Sequence, residues 1–189
     1  MFEIRLHGRG GQGVVTAAEL LSVAAFGDGH EAQAFPSFGS ERMGAPVVSF
    51  CRIADVPIRV REPVTEPDAV IVIDATLLHH VELFAGLAAD GYVVLNSTHP
   101  PTDLGLSDLV DALPAGHVVT VPATDLAREF IGRPLPNICL LGAFAALTHA
   151  VSPASIETAV RARFSPPVAE ANIRAARAAY TAVESVSHA

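Results

Sequence analysis

The sequence predicts an α/β fold, a three-layer sandwich around a mainly parallel, Rossmann-like sheet with a β-hairpin and a C-terminal helical stretch. Three observations predict it. A glycine-rich loop joins an alternating first strand to a helical pattern. Apolar runs at residues 68–74 and 92–96 are typical of buried parallel strands. Proline-containing helix starts, Ser152-Pro153 and Ser165-Pro166, indicate that the chain ends in helices.

Strands and loops dominate the first third of the chain. Residues 1–6 alternate apolar and polar side chains as a strand does, and apolar residues recur at helical spacing from residue 14. A second strand is predicted at 31–35, and the loop at 36–46 is too rich in Gly and Pro for a regular element. Residues 47–53 form a third strand.

A hairpin is predicted next, because the turn signal at 54–57 is followed by Ile-Arg-Val-Arg at 58–61, a short partner strand. Strands then alternate with helices, which is typical of a parallel sheet. Strands are expected at 68–74, 92–96 and 117–122, and helices at 77–89, 123–131, 137–150, 155–163 and 168–184.

The whole chain, residues 1–189, is long enough for one domain with a sizeable core, and it contains no repeat or linker. No apolar run reaches the length of a membrane span, and the N-terminus enters a strand without a signal-peptide pattern. We therefore expect a soluble, cytoplasmic protein.

Composition excludes several classes of function. A net charge of -8 argues against binding of a nucleic-acid backbone. All twelve basic residues are arginines, so the chain offers no Schiff-base or Walker-type lysine. Cys51 and Cys139 are too few for an iron–sulfur cluster and are expected in the core, and His79-His80 is expected to be a surface pair rather than a metal site. No catalytic side chain is predicted.

The glycine loop, residues 8–13, fits the G-x-G-x-x-G pattern through Gly8, Gly10 and Gly13. Such a loop brings backbone N–H groups and a helix N-terminus close to a phosphate, and Arg9 adds a charge able to reach an anion. The predicted cofactor-binding residues are Gly8, Arg9, Gly10, Gly11, Gln12 and Gly13. The alternative is that the glycines only allow tight packing of strand on helix.

NAD is not the expected ligand of this loop. A Rossmann NAD site needs an acidic residue at the end of the second strand. Here that strand ends in Phe35-Pro36-Ser37, and Glu31 lies at its start.

Four loops, 8–13, 36–46, 74–76 and 96–101, should meet at the carboxyl edge of the sheet, where they suit either a ligand or a docked protein.

Three segments carry a family resemblance. They are Gly8-Arg9-Gly10-Gly11-Gln12-Gly13, the stretch from Ser37 to Val47, and Pro136-Asn137-Ile138-Cys139-Leu140-Leu141-Gly142-Ala143. In order and spacing the chain resembles the gamma subunit of pyruvate:ferredoxin oxidoreductase and its 2-oxoacid relatives. It departs from the family at Ser40, where Pro is frequent, and at Met43, where one branch has Arg.

The resemblance implies a hetero-oligomeric oxidoreductase of anaerobic metabolism. Alpha and beta subunits would hold thiamine diphosphate and Mg, and a ferredoxin-like subunit would hold iron–sulfur clusters. The gamma subunit would carry no redox cofactor, would be inactive alone and would contribute to coenzyme A binding. Ser37, Phe38, Gly39, Glu41 and Arg42 would form an interface or active-site loop.

The substrate implied is a 2-oxoacid such as pyruvate, a branched-chain acid or an aryl acid such as phenylglyoxylate. Ferredoxin, or NAD through a flavoprotein subunit, would accept the electrons.

Asn137 is expected to cap the helix that begins there. Two other functions remain open: a stand-alone nucleotide-binding oxidoreductase, and a purely structural scaffold subunit.

Overall fold

A six-stranded mixed sheet organises the computed structural model, which describes residues 1–37 and 43–187. Its strands are β1 (Phe2–Arg9), β2 (Glu31–Pro36), β3 (Pro46–Ala54), β4 (Ala69–Val72), β5 (Tyr92–Asn96) and β6 (Val118–Val121). In space the order is β2-β3-β1-β4-β5-β6. The neighbouring pairs β1–β4, β4–β5 and β5–β6 are parallel, whereas β3 is antiparallel to both of its neighbours, β1 and β2. The predicted mainly parallel α/β sheet is confirmed.

The two faces of the sheet carry apolar cores of different size. The helices are α1 (Val14–Gly27), α2 (Ser107–Ala112), α3 (Ala123–Ile131), α4 (Asn137–Thr148), α5 (Pro153–Arg163) and α6 (Pro166–Ser187). All but α2 pack with Ile4, Leu6 and Ile71 in the main core. The opposite face carries a smaller cluster around Val70 and Val72, covered by the irregular segments near residues 77–87 and 104–106.

The close packing of α4 on α6 depends on Gly142. A Cβ placed on Gly142 would collide with the carbonyl group of Ala176, whose carbon would be 2.7 Å away. The buried side chain of α4 next to it, Cys139, directs its thiol to the carbonyl of Ala175 at 3.4 Å. Cys51 is also buried, so the prediction of two core cysteines is confirmed. Burial raises the pKa of the Cys139 thiol to about 12.

The predicted helix at 77–89 is wrong. A short 3₁₀ helix, Ala75–His79, is followed by turns, because the guanidinium of Arg5 binds the backbone here. Its Nη2 donates to the carbonyls of Leu83 and Ala85, both at 2.8 Å. Gly86 adopts the left-handed conformation at φ 74°, which ends any helical path.

The predicted strand at 58–61 is also wrong in this chain. Residues 57–61 belong to no strand, because both edges of β3 are already occupied, one by β1 and the other by β2. The antiparallel hairpin of the fold is therefore made by β2 and β3.

Within the described residues, no helix is long and apolar enough to cross a membrane.

Candidate functional site

The glycine loop connects β1 to α1 at the carboxyl edge of the parallel strands. Gly13 adopts the left-handed conformation at φ 73° and precedes α1 without a side-chain cap. The N–H groups of the first turn therefore have no side-chain cap among the described residues, and the positive end of the helix dipole faces the loop. Gly8 serves packing, since a Cβ there would lie 2.6 Å from Val14 Cγ2.

Arg9 is held by the protein itself. Its Nε lies 3.3 Å from Asp74 Oδ2, and its Nη2 donates to Thr76 Oγ1 at 2.8 Å. Its Nη1 donates to the carbonyl of Gly44 at 3.1 Å. The charge of Arg9 is thus paired with the carboxylate of Asp74. Arg9 ties three of the four predicted edge loops together.

Gln12 closes the loop on itself. Its Oε1 accepts from the backbone N–H of Arg9 at 2.7 Å, and its Nε2 donates to Asp74 Oδ2 at 2.8 Å. Two backbone bonds, Gly10 N–H to the Ala45 carbonyl and Gly44 N–H to the Gly10 carbonyl, fix the loop against the start of β3. The loop is consequently preorganised before any ligand arrives.

Asp74 is the hub of this network. Burial by itself raises the pKa of its carboxyl, but hydrogen bonds from Thr76 and Gln12 and the charge of Arg9 bring the pKa below its usual value. An acid with a lowered folded-state pKa stabilises the fold above its unfolded pKa, and this contribution is lost as pH falls through the folded value.

We therefore expect Asp74→Asn to be less stable than the wild type near neutral pH, with a gap that shrinks below about pH 4. Chemical unfolding of both proteins across this pH range measures the gap. Asp125→Asn is the control, because Asp125 is exposed and paired only with Arg128 on the same helix. A gap for Asp74→Asn that stays constant into acid would contradict the network.

A groove of about 450 Å³ opens beside the N-terminus of α1. Asn137, only 7% exposed, donates from Nδ2 to the carbonyl of Gly13 at 3.2 Å. The expectation that Asn137 caps α4 is wrong: Pro136 occupies the cap position, and the side chain braces the glycine loop instead. The groove is lined by Gly11, Gly13, Thr16, Ile131, Arg133, Leu135, Asn137, Ile138, Phe164, Pro167, Val168, Ala171 and Asn172.

Arg133 is the cation that the sequence reasoning missed. It is exposed at the groove and forms no ion pair with any described residue. A signal existed, because Arg133 lies in the Gly-Arg-Pro-Leu-Pro stretch directly before the motif at 136–143. The groove therefore combines a helix N-terminus and an unpaired cation with an apolar wall.

Other predicted site residues are placed differently. Ser37 extends the β2–β3 pairing through its N–H to the Val48 carbonyl, and Phe38, Gly39, Glu41 and Arg42 lie outside the described residues. In the fourth edge loop, at 96–101, the side chain of Asn96 turns inward, and its Nδ2 donates to the Ile73 carbonyl and to Thr124 Oγ1. His79 and His80 are exposed, and no group of three metal ligands occurs in residues 1–37 and 43–187.

Comparison with known proteins agrees with this geometry. The family model of pyruvate ferredoxin/flavodoxin oxidoreductase matches residues 3–182. Pyruvate synthase subunit PorC of Methanosarcina barkeri is 52% identical over 162 residues, 86% of each chain. The pyruvate/ketoisovalerate oxidoreductases common subunit gamma of Pyrococcus furiosus is 45% identical, over 97% of this chain and 98% of the relative.

Solved structures give the same result. The pyruvate oxidoreductase subunit PORC of Thermotoga maritima has a TM-score of 0.80 at 37% identity, covering 95% of each chain. A 2-oxoglutarate:ferredoxin oxidoreductase of Magnetococcus marinus shares the fold, with a TM-score of 0.76 at 16% identity over 98% of this chain and 31% of that one. The chain therefore belongs to the pyruvate ferredoxin/flavodoxin oxidoreductase family, in which it is a gamma-type subunit of a 2-oxoacid oxidoreductase.

Proposed function

We propose that this gamma-type subunit binds the phosphates of coenzyme A at the glycine loop and serves the acyl-transfer half of the reaction. The observation that supports this most is the opening of the uncapped N-terminus of α1 onto a groove that also holds Arg133. An anion is stabilised at such a position by backbone N–H groups and by the helix dipole. Arg133 adds a full charge that no described residue neutralises.

The groove also suits the rest of coenzyme A. Beside its phosphates, the molecule carries a long, largely apolar pantetheine arm. The groove lining includes the apolar side chains of Ile131, Leu135, Phe164 and Val168, and Asn137 and Asn172 add two amides to it. A site with apolar walls and few polar groups fits this class of ligand. The Magnetococcus marinus enzyme, which shares the fold, was solved with coenzyme A bound.

The catalytic chemistry belongs to the other subunits in this proposal. A 2-oxoacid, such as pyruvate or a branched-chain or aryl acid, would be decarboxylated on thiamine diphosphate and Mg held by alpha and beta subunits. Iron–sulfur clusters of a ferredoxin-like subunit would take the electrons, for ferredoxin or for NAD through a flavoprotein, and coenzyme A would take the acyl group. Burial and the charge of Arg5 lower the pKa of His7 to about 4, so its imidazole is neutral at physiological pH.

Arg9 acts as a positioning residue in this scheme. Its contacts with Asp74, Thr76 and Gly44 hold the glycine loop and the start of β3 in one arrangement. Of the proposed cofactor-binding residues, Gly11 and Gly13 line the groove and would present their backbone to the ligand. Gly8 serves packing, and the N–H groups of Gly10 and Gln12 bond within the protein, so these three would shape the loop. We further propose that Ser37, Phe38, Gly39, Glu41 and Arg42 belong to an interface or active-site loop.

We expect Arg133→Ala to raise the KM for coenzyme A about tenfold in the assembled complex, because one charge-assisted contact with a phosphate is lost. The KM for the 2-oxoacid should not change. Steady-state kinetics with each substrate varied, and calorimetric titration of coenzyme A into the complex, measure both effects. Arg133→Lys should recover part of the affinity, since it keeps the charge.

The control is Arg174→Ala, since Arg174 is exposed on α6 and forms no ion pair with a described residue. It should leave both KM values unchanged. An intact Arg133→Ala complex with the wild-type KM for coenzyme A would contradict the proposed site. The glycines would then serve packing alone, as Gly8 already does.

A further inference from the structure

The segment at residues 57–61 belongs to no strand or helix and has backbone groups that the described residues do not use. Its sequence is Pro-Ile-Arg-Val-Arg, with the alternating pattern and β-branched residues of a strand. None of its four N–H groups donates to another described residue, and none of its carbonyls accepts a backbone hydrogen bond from one. It is nevertheless held at its far end, where Arg52 Nη2 donates to the Glu62 carbonyl at 2.6 Å.

The two arginines of this segment have no ion-pair partner among the described residues. Arg59 and Arg61 are both exposed, and neither forms an ion pair with a described residue. Val60 is 41% exposed and the nearby Val56 is 67% exposed. A protein with a net charge of -8 therefore presents, at alternate positions, two arginines that no described residue pairs, beside exposed valines and backbone groups without a described partner.

We propose that residues 57–61 form an intersubunit β-strand, which pairs with an extended, acidic segment of another subunit of the complex. Strand addition of this kind takes its affinity from main-chain hydrogen bonds and its specificity from the alternating side chains. Acidic residues opposite Arg59 and Arg61 complement the charge, as opposite charges do across neighbouring strands.

A second copy of this chain is a poorer partner. Antiparallel self-pairing that keeps the apolar side chains opposite one another places arginine opposite arginine, and like charges there are destabilising. The complementary charge must come from a different chain. Because the chain is a subunit of a multi-subunit oxidoreductase, such chains are at hand.

Hydrogen exchange of the co-expressed complex and of the isolated chain, resolved to single residues, tests the pairing. Paired strands protect alternate N–H groups along one edge, so we expect either Ile58 and Val60 or Arg59 and Arg61 to slow at least about a hundredfold in the complex. The other two amides should change much less. Equal exchange of all four amides in both samples would overturn the proposal.

Charge reversal supplies an independent readout. We expect Arg59→Glu combined with Arg61→Glu to weaken assembly about tenfold at low salt, and the deficit to shrink at high salt. Arg174→Glu is the matched control, an exposed arginine without an ion pair to a described residue, and it should assemble as the wild type does. Equal weakening by both would overturn the proposal, as would a homodimer of the isolated chain that the double substitution abolishes.

Discussion

Replacing Gly142 with alanine is expected to lower the free energy of unfolding by about 3 kcal/mol, the upper end of the usual cost of overpacking. Gly142 lies inside α4, where alanine would ordinarily stabilise a helix by about 1 kcal/mol. Here the added methyl group would collide with the Ala176 carbonyl of α6. Backbone cannot rotate aside as a side chain can, so the two helices must separate.

Urea unfolding of the isolated chain measures this effect. Gly105→Ala is the control, since Gly105 has a left-handed φ of 74° but a Cβ there would meet nothing within 4 Å. It should cost only the conformational penalty, about 1 kcal/mol. If Gly142→Ala leaves the transition unchanged or raises it, α4 and α6 do not pack as closely as described.

Replacing Gly13 with alanine should damage the proposed coenzyme A site more than any single side-chain deletion there. Gly13 is left-handed, and its added Cβ would collide with the Asn137 amide, whose Cγ would be 3.0 Å away. The change therefore displaces the Asn137 side chain, which braces the glycine loop, and also shifts the first turn of α1. We expect the KM for coenzyme A to rise at least about tenfold, corresponding to about 1.4 kcal/mol.

Gly44→Ala separates backbone strain from this collision. Gly44 has a comparable φ of 81°, also contacts the glycine loop, and would have open space around its Cβ. Both variants should be assayed in assembled complexes, with the KM for the 2-oxoacid as an internal reference. If Gly44→Ala impairs coenzyme A use as strongly as Gly13→Ala does, left-handed strain alone explains the loss and the Asn137 contact is unimportant.

Much of the fold could be predicted because local pattern and tertiary environment agree. Alternation in β1, the apolar runs of β4 and β5 and the proline signals of α5 and α6 all identify their elements. The helix expected at 77–89 failed because its carbonyls bind Arg5, a residue some eighty positions earlier. Sequence periodicity contains no trace of such a long-range contact.

The geometry around the glycine loop was predictable in outline but not in its side-chain contacts. The glycine loop and the convergence of the edge loops followed from the motif and from the rule for parallel sheets. The role of Arg9 did not, because Asp74 lies 65 positions away and only folding brings the pair to 3.3 Å. Arg133 was missed because its position in a groove that α1 and α6 help to line appears only in the folded chain.

The antiparallel insertion of β3 has a consequence for ligand choice. In a nucleotide-binding Rossmann unit, the second strand lies next to the first, so its terminal acid reaches the ribose. Here β3 separates β2 from β1, and the end of β2 is displaced by two strand spacings, about 10 Å, from the glycine loop. Introducing an aspartate at the end of β2 would therefore not create NAD specificity. The strand order therefore leaves the end of β2 too far from the glycine loop to recognise a ribose diol there.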